Sequence, residues 1–103
     1  MAVVEFALRS KAEDDLEVIY LYSLENWGAV QAEEYIQLLD RAFQQLVENP
    51  NIGTSCDFVR DGLKMYPVQS HSVFYRIKGN KVVIVRVLHK SMLAGKHIQK
   101  RSH

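Results

Sequence analysis

The stretch SHSVFYRIKGNKVVIVRVLH, from Ser70 to His89, decides the fold. Two apolar, β-branched and aromatic runs flank Lys78-Gly79-Asn80-Lys81, and Gly79-Asn80 is a two-residue loop signal, because a tight hairpin turn requires positive φ that these residues tolerate. With those two residues as the loop, a regular ladder predicts Ile77 opposite Val82, Tyr75 opposite Ile84, Val73 opposite Arg86 and His71 opposite Leu88. Side chains alternate across a strand. One face therefore carries His71, Val73, Tyr75, Ile77, Val82, Ile84, Arg86 and Leu88, and the other Ser72, Phe74, Arg76, Val83, Val85, Val87 and His89. A pair that is apolar on both faces belongs at the centre of a sheet, covered on both sides. Helices of this chain can cover one face, and the other is expected to await a partner.

Working outward, Ala2 to Arg9 alternates loosely and reads as a short strand. Ser10-Lys11-Ala12-Glu13 has the form of a capping box, and Asp14 and Asp15 follow in the first turn, where the helix dipole favours negative charge. Ala12, Leu16, Ile19, Tyr20 and Ser23 recur at helical spacing, with Val18 and Tyr22 widening the stripe. Gly28 is a helix stop, preceded by the large apolar Trp27. A second helix spans about Ala29 to Glu48, with Tyr35, Leu38, Leu39, Ala42, Phe43 and Leu46 as its stripe, and Asn49-Pro50-Asn51 ends it. The short junction predicts an antiparallel helix pair. Ile52 to Asp61 reads as a loop, and Leu63 to Val68 as a strand in which Pro67 suits an edge or an end. The predicted order is β-αα-βββ: an α+β domain with a helical hairpin on a small antiparallel sheet. Residues 1–98 form the single domain and 99–103 a polar tail.

At 103 residues the chain has room for one modest core. Its formal net charge of +1 hides an asymmetry. No acidic residue follows Asp61, whereas Lys64, Arg76, Lys78, Lys81, Arg86, Lys90, Lys96, Lys100, Arg101 and all four histidines do. A basic end on a near-neutral domain suits an anionic partner. The single cysteine, Cys56, excludes an internal disulfide framework and fits a reducing cytoplasm. The first strand is short and followed by charge, so neither a signal peptide nor a membrane span is expected.

The chemistry-bearing residues are sparse. No two of His71, His89, His97 and His103 stand at metal-ligand spacing beside a carboxylate, so no metal is expected. Cys56 lacks a redox partner and reads as buried filler. Phosphate loops, Ser-His-Asp order and paired carboxylates are missing from the sequence, so neither a catalytic set nor a cofactor is implied. Arg76, Arg86 and His89 stand out, because a charge within an apolar strand pair is costly unless paired or solvated.

Several segments carry a family resemblance. Trp27-Gly28 with Gln31-Ala32, Asn49-Pro50-x-x-Gly53, Ser70-His71-x-x-Phe74-Tyr75-Arg76 and Val85-Arg86-Val87-Leu88-His89-Lys90-Ser91-Met92 occur in order, and Ser55-Cys56-Asp57-x-x-Arg60-x-Gly62 adds to them. Together they resemble the ParE toxin family, the gyrase-poisoning branch of the RelE/ParE superfamily. The resemblance spans Leu8 to His97. It implies a cytoplasmic toxin of a type II toxin–antitoxin module of the plasmid-stabilisation kind. Such a toxin inhibits DNA gyrase by binding and not by catalysis, and a ParD-type antitoxin neutralises it in a hetero-oligomer. Neither a membrane partner nor direct specific nucleic-acid binding is implied. The superfamily's other branch cleaves messenger RNA on the ribosome. Where such relatives place arginines, this chain has Ser72 and Ser91, while His89 resembles a histidine that some of them use. Proton transfer alone does not stabilise a phosphorane, so gyrase inhibition ranks above a RelE-type ribonuclease; a non-toxic relative that only binds antitoxin stays open. The residues expected to meet a partner are Trp27, Arg76, Arg86, His89, Lys90 and Met92.

Overall fold

The structure, a computed structural model, describes residues 2–92 and 94–98. The expected tail at 99–103 lies outside the described residues. Strand β1 (Glu5–Leu8) leads into helix α1 (Ser10–Trp27) and helix α2 (Ala29–Glu48). Strands β2 (Thr54–Ser55), β3 (Lys64–Val68), β4 (His71–Lys78) and β5 (Lys81–His89) follow, and then a single turn of helix, α3 (Ala94–His97). The five strands form one sheet in the order β1-β5-β4-β3-β2.

The α+β class and the helical hairpin on a sheet are as expected. The sheet itself is mixed, because β1 runs parallel to β5, with Phe6 beside Val82 and Leu8 beside Ile84. Alternation in a sequence carries no pairing direction, and a parallel neighbour needs a long crossover. Here the crossover runs over residues 9–80. The two-residue β2 and the short α3 were not foreseen.

The hairpin turns at Gly79, whose φ is +61°. Positive φ at the first loop position alone is the II′ pattern, which matches strand twist. The ladder is regular from Lys78 opposite Lys81 to Tyr75 opposite Ile84 and then slips. Phe74 faces Arg86, Val73 faces Val87 and His71 faces His89, so Val85 is the extra residue of a bulge. The slip corrects the predicted pairs Val73–Arg86 and His71–Leu88, and it exchanges the faces of Val87 and Leu88.

The helix-facing core joins Val73, Tyr75, Val82, Ile84 and Val87 to Ala12, Ile19, Leu39, Phe43 and Leu46. The opposite face is closed by this chain itself: Phe74, Val85 and Leu88 pack against Cys56, Val59, Leu63 and Ile98. The face expected to await a partner is therefore covered by the loop after β2 and by the residue that follows α3. That loop is tightly built. Cys56 donates its N–H to Leu63 O and accepts from the N–H groups of Val59 and Arg60, while Asp57 accepts from Gly62 N–H.

The capping box is not formed. Arg9 occupies the N-cap position with extended φ −69° and ψ 155°, and no side chain caps α1. The N–H of Arg9 donates to Ile84 O, so the β1 ladder runs into the cap position and Ser10 becomes the first helical residue. Between the helices, Gly28 holds φ +93° and ψ 169°, a region open essentially to glycine alone. This permits two long helices to join with no intervening loop.

Candidate functional site

Helix α1 carries more apolar side chains than it buries. Ala12, Ile19 and Ser23 face the core, whereas Val18 is 65% exposed, Tyr22 62% and Trp27 64%. Val18 and Tyr22 lie one turn apart on one side of the helix, and Trp27 ends it. Beside them run the start of β4 and the end of β5. The result is a groove made of two adjoining cavities. One, about 400 Å³, is lined by Tyr22, Ser23, Trp27, Gln31, Tyr35, Ser70, His71 and His89. The other, about 390 Å³, is lined chiefly by Val18, Ile19, Tyr22, His71, Val87, His89 and Met92. Tyr22, Ser23, His71 and His89 belong to both.

The floor is polar and ordered. The Tyr35 hydroxyl lies 2.6 Å from His71 Nδ1 and 3.3 Å from Val68 O. The hydroxyl donates to Val68 O, and the direction of its bond with Nδ1 follows the tautomer of His71. Burial pushes the His71 imidazole below its ordinary 6.5, the neighbouring His89 adds to this, and Asp15 opposes it. Burial likewise pushes the Tyr35 phenol up. The rings of His71 and His89 meet edge to face with centroids 5.4 Å apart, an arrangement that the bulge creates by placing these residues opposite each other. His89 Nδ1 accepts from the Ser91 N–H at 3.1 Å and lies 2.8 Å from Ser91 Oγ. In that arrangement its remaining ring proton sits on Nε2.

This geometry brings together some of the residues expected at a partner surface. Trp27, His89 and Met92 line the groove, and Lys90 stands in the exposed turn between the last two, its N–H donating to Ser70 O. Arg76 lies apart, in the middle of β4 opposite Val83. Arg86 is turned inward: Nε and Nη2 donate to the two oxygens of Asp15 at 2.7 and 2.8 Å, and Nη1 donates to His97 O at 2.8 Å. Asp15 also accepts the Val87 N–H at 2.9 Å. Val18, Tyr22, Tyr35 and His71 were not among the expected site residues. The available signal was an apolar stripe on α1 too wide for one core-facing side. Among the described residues no group of three or more His, Cys, Asp or Glu side chains could hold a metal ion, and no helix is long and apolar enough to cross a membrane.

Comparison with known proteins places this geometry in context. Residues 6–94 match the family model described as the ParE toxin of type II toxin-antitoxin system, parDE. Toxin ParE1 of Mycobacterium tuberculosis (strain ATCC 25618 / H37Rv) is 38% identical over 88 residues, covering 84% of this chain and 90% of that protein. Toxin ParE1 of Caulobacter vibrioides is also 38% identical, over 93 residues, covering 90% of this chain and 96% of the relative. A solved structure described as the chromosomal ParDE TA system from P. aeruginosa superposes with a TM-score of 0.72 at 22% identity. It covers 86% of this chain and 96% of that one, and speaks for the fold.

Proposed function

The chain belongs to the ParE toxin family of type II toxin–antitoxin systems, and from that premise we propose that it inhibits DNA gyrase by binding in the cytoplasm. In this reading a ParD-type antitoxin neutralises it by filling the groove beside α1. The groove carries the reading: Val18, Tyr22 and Trp27 are more than 60% exposed around an ordered pair of imidazoles. Folding gains nothing from that exposure, whereas an amphipathic partner segment would cover it. Lys90 at the rim suits an acidic partner residue, which speeds association more than it prolongs the complex.

Binding is favoured over phosphodiester cleavage for a local reason. His89 Nδ1 is occupied by Ser91, Nε2 carries the proton, and Ser72 is buried in β4 opposite Leu88. Ser91 engages one of the two imidazole nitrogens, and no arginine stands at either serine position to stabilise a phosphorane.

The purified chain, mixed with gyrase and plasmid, is expected to stop supercoiling and accumulate cleaved DNA, with relief on adding antitoxin. Transcripts in a translating extract should stay whole. Codon-specific transcript cuts alongside normal supercoiling would overturn the proposal in favour of a ribonuclease.

A further inference from the structure

A second cavity, of about 250 Å³, opens beside the start of α1, away from the groove. Its described lining is Arg9, Ser10, Lys11, Arg60, Val85, Arg86, His97 and Ile98. Four of these eight side chains are arginine or lysine, one is a histidine and none is acidic. Asp15 commits both oxygens to Arg86 and the Val87 N–H, and the charge of Asp14 also reaches Arg86. That pairing neutralises Arg86 and leaves the positive charge of Arg9 and Lys11 facing the cavity. These two cations stand at the positive end of the α1 dipole, where cations are disfavoured, so they are not there to stabilise the helix. On the loop that supplies Arg60 to the lining, Phe58 is 80% exposed. It is carried between Cys56 and Arg60 on the hydrogen-bonded loop that packs on Val85 and Ile98, two residues of the cavity wall.

We infer that this cavity binds a phosphate group of a nucleic-acid strand, with Phe58 as a stacking surface for a neighbouring unpaired base. Guanidinium groups match the tetrahedral, multi-acceptor geometry of phosphate. Cations next to an exposed aromatic ring form the general means of holding a single strand without reading its sequence. The contact is independent of the gyrase reading, since it requires only this chain and the strand.

The test is fluorescence anisotropy of the purified full chain with a labelled single-stranded oligonucleotide, across a salt series. Binding should be insensitive to base sequence, and its logarithm should fall linearly with log salt. Arg9→Ala and Lys11→Ala should each weaken it roughly three- to tenfold and flatten the salt slope by about 0.7. Phe58→Ala should weaken the single strand while leaving a duplex of equal length unaffected. Lys78→Ala, at the distant hairpin turn, should change little, and thermal melting confirms that each variant is folded. An equal loss with Lys78→Ala would reduce the effect to net charge and overturn the site. Inorganic phosphate binding as tightly as the strand would make it a free-phosphate site, and an acidic peptide binding as tightly would make it a carboxylate site. Either result defeats the inference.

Discussion

His71 joins three elements through one side chain. Tyr35 from α2 meets its Nδ1, His89 from β5 meets its edge, and the charge of Asp15 on α1 reaches it. Because burial holds its folded value below the ordinary 6.5, the unfolded chain binds the proton more readily. Stability from this residue is therefore complete above about pH 6.5 and falls as the pH drops toward the folded value, with a slope of at most about 1.4 kcal/mol per pH unit. Protonation fixes the local hydrogen bond: Nδ1–H then donates to Tyr35, whose hydroxyl donates to Val68 O. Urea midpoints between pH 7 and pH 5 should fall less steeply for His71→Gln than for the parent chain. Parallel curves for the two would remove His71 from the linkage. Asp57, on the loop after β2 and held below its usual range chiefly by the Gly62 N–H, titrates in a lower window and does not confuse the comparison.

At the scale of elements, the sequence displayed the helix pair, the hairpin and the Pro67 strand clearly, since each rests on period and punctuation. It hid the Val85 bulge. Counting by twos from Gly79 presumes an unbroken ladder, and Val87 and Leu88 are both apolar, so exchanging their faces leaves no mark on the pattern. The Ser10 capping box matched in letters but failed in space, because the β1 ladder draws Arg9 into the cap position. The Asn49-Pro50-x-x-Gly53 run does acquire a physical reason. Tyr75 donates to Pro50 O at 2.7 Å and accepts the Gly53 N–H at 2.9 Å, and a Cβ on Gly53 would come within 2.5 Å of that hydroxyl. The Arg86–Asp15 pair is likewise a joint between elements, tying α1 to β5 and to the carbonyl of His97 at the end of α3. Both side chains are mostly buried, at 16% and 13% exposure. Arg86→Ala should then cost about 3 kcal/mol, the lower end for breaking a buried pair, because Asp15 is left without its counter-charge. Arg86→Lys should recover only part, since an ammonium cannot fork to both carboxylate oxygens. A denaturation midpoint unchanged in Arg86→Ala would deny the joint.

Across the whole molecule, the middle and the end of β5 border different chemistry. Its last residues, Val87 to His89, border an apolar groove with imidazoles in its floor, and the bulge at Val85 borders a basic cavity. The charge asymmetry and the groove residues Trp27, His89 and Met92 were legible in the sequence; the division into two surfaces needed the bulge and the inward turn of Arg86. A domain of this size has little stability to spare, and an open apolar groove adds none, so a partner that binds only the folded toxin should raise its melting point by mass action. With antitoxin at about 1,000 times its dissociation constant the gain is about 4.1 kcal/mol, or roughly 15–30 °C for a domain of this length. Tyr22→Ala removes a ring that is 62% exposed and should leave the melting point of the free toxin nearly unchanged. If the ring is an anchor worth a factor of ten in affinity, the antitoxin-bound shift should shrink by about 1.4 kcal/mol, or roughly 5–11 °C. Lys11→Ala, at the other cavity, should keep the full shift. A bound shift that survives Tyr22→Ala intact but is lost in Lys11→Ala would place the antitoxin at the basic end and leave the groove without its assigned occupant.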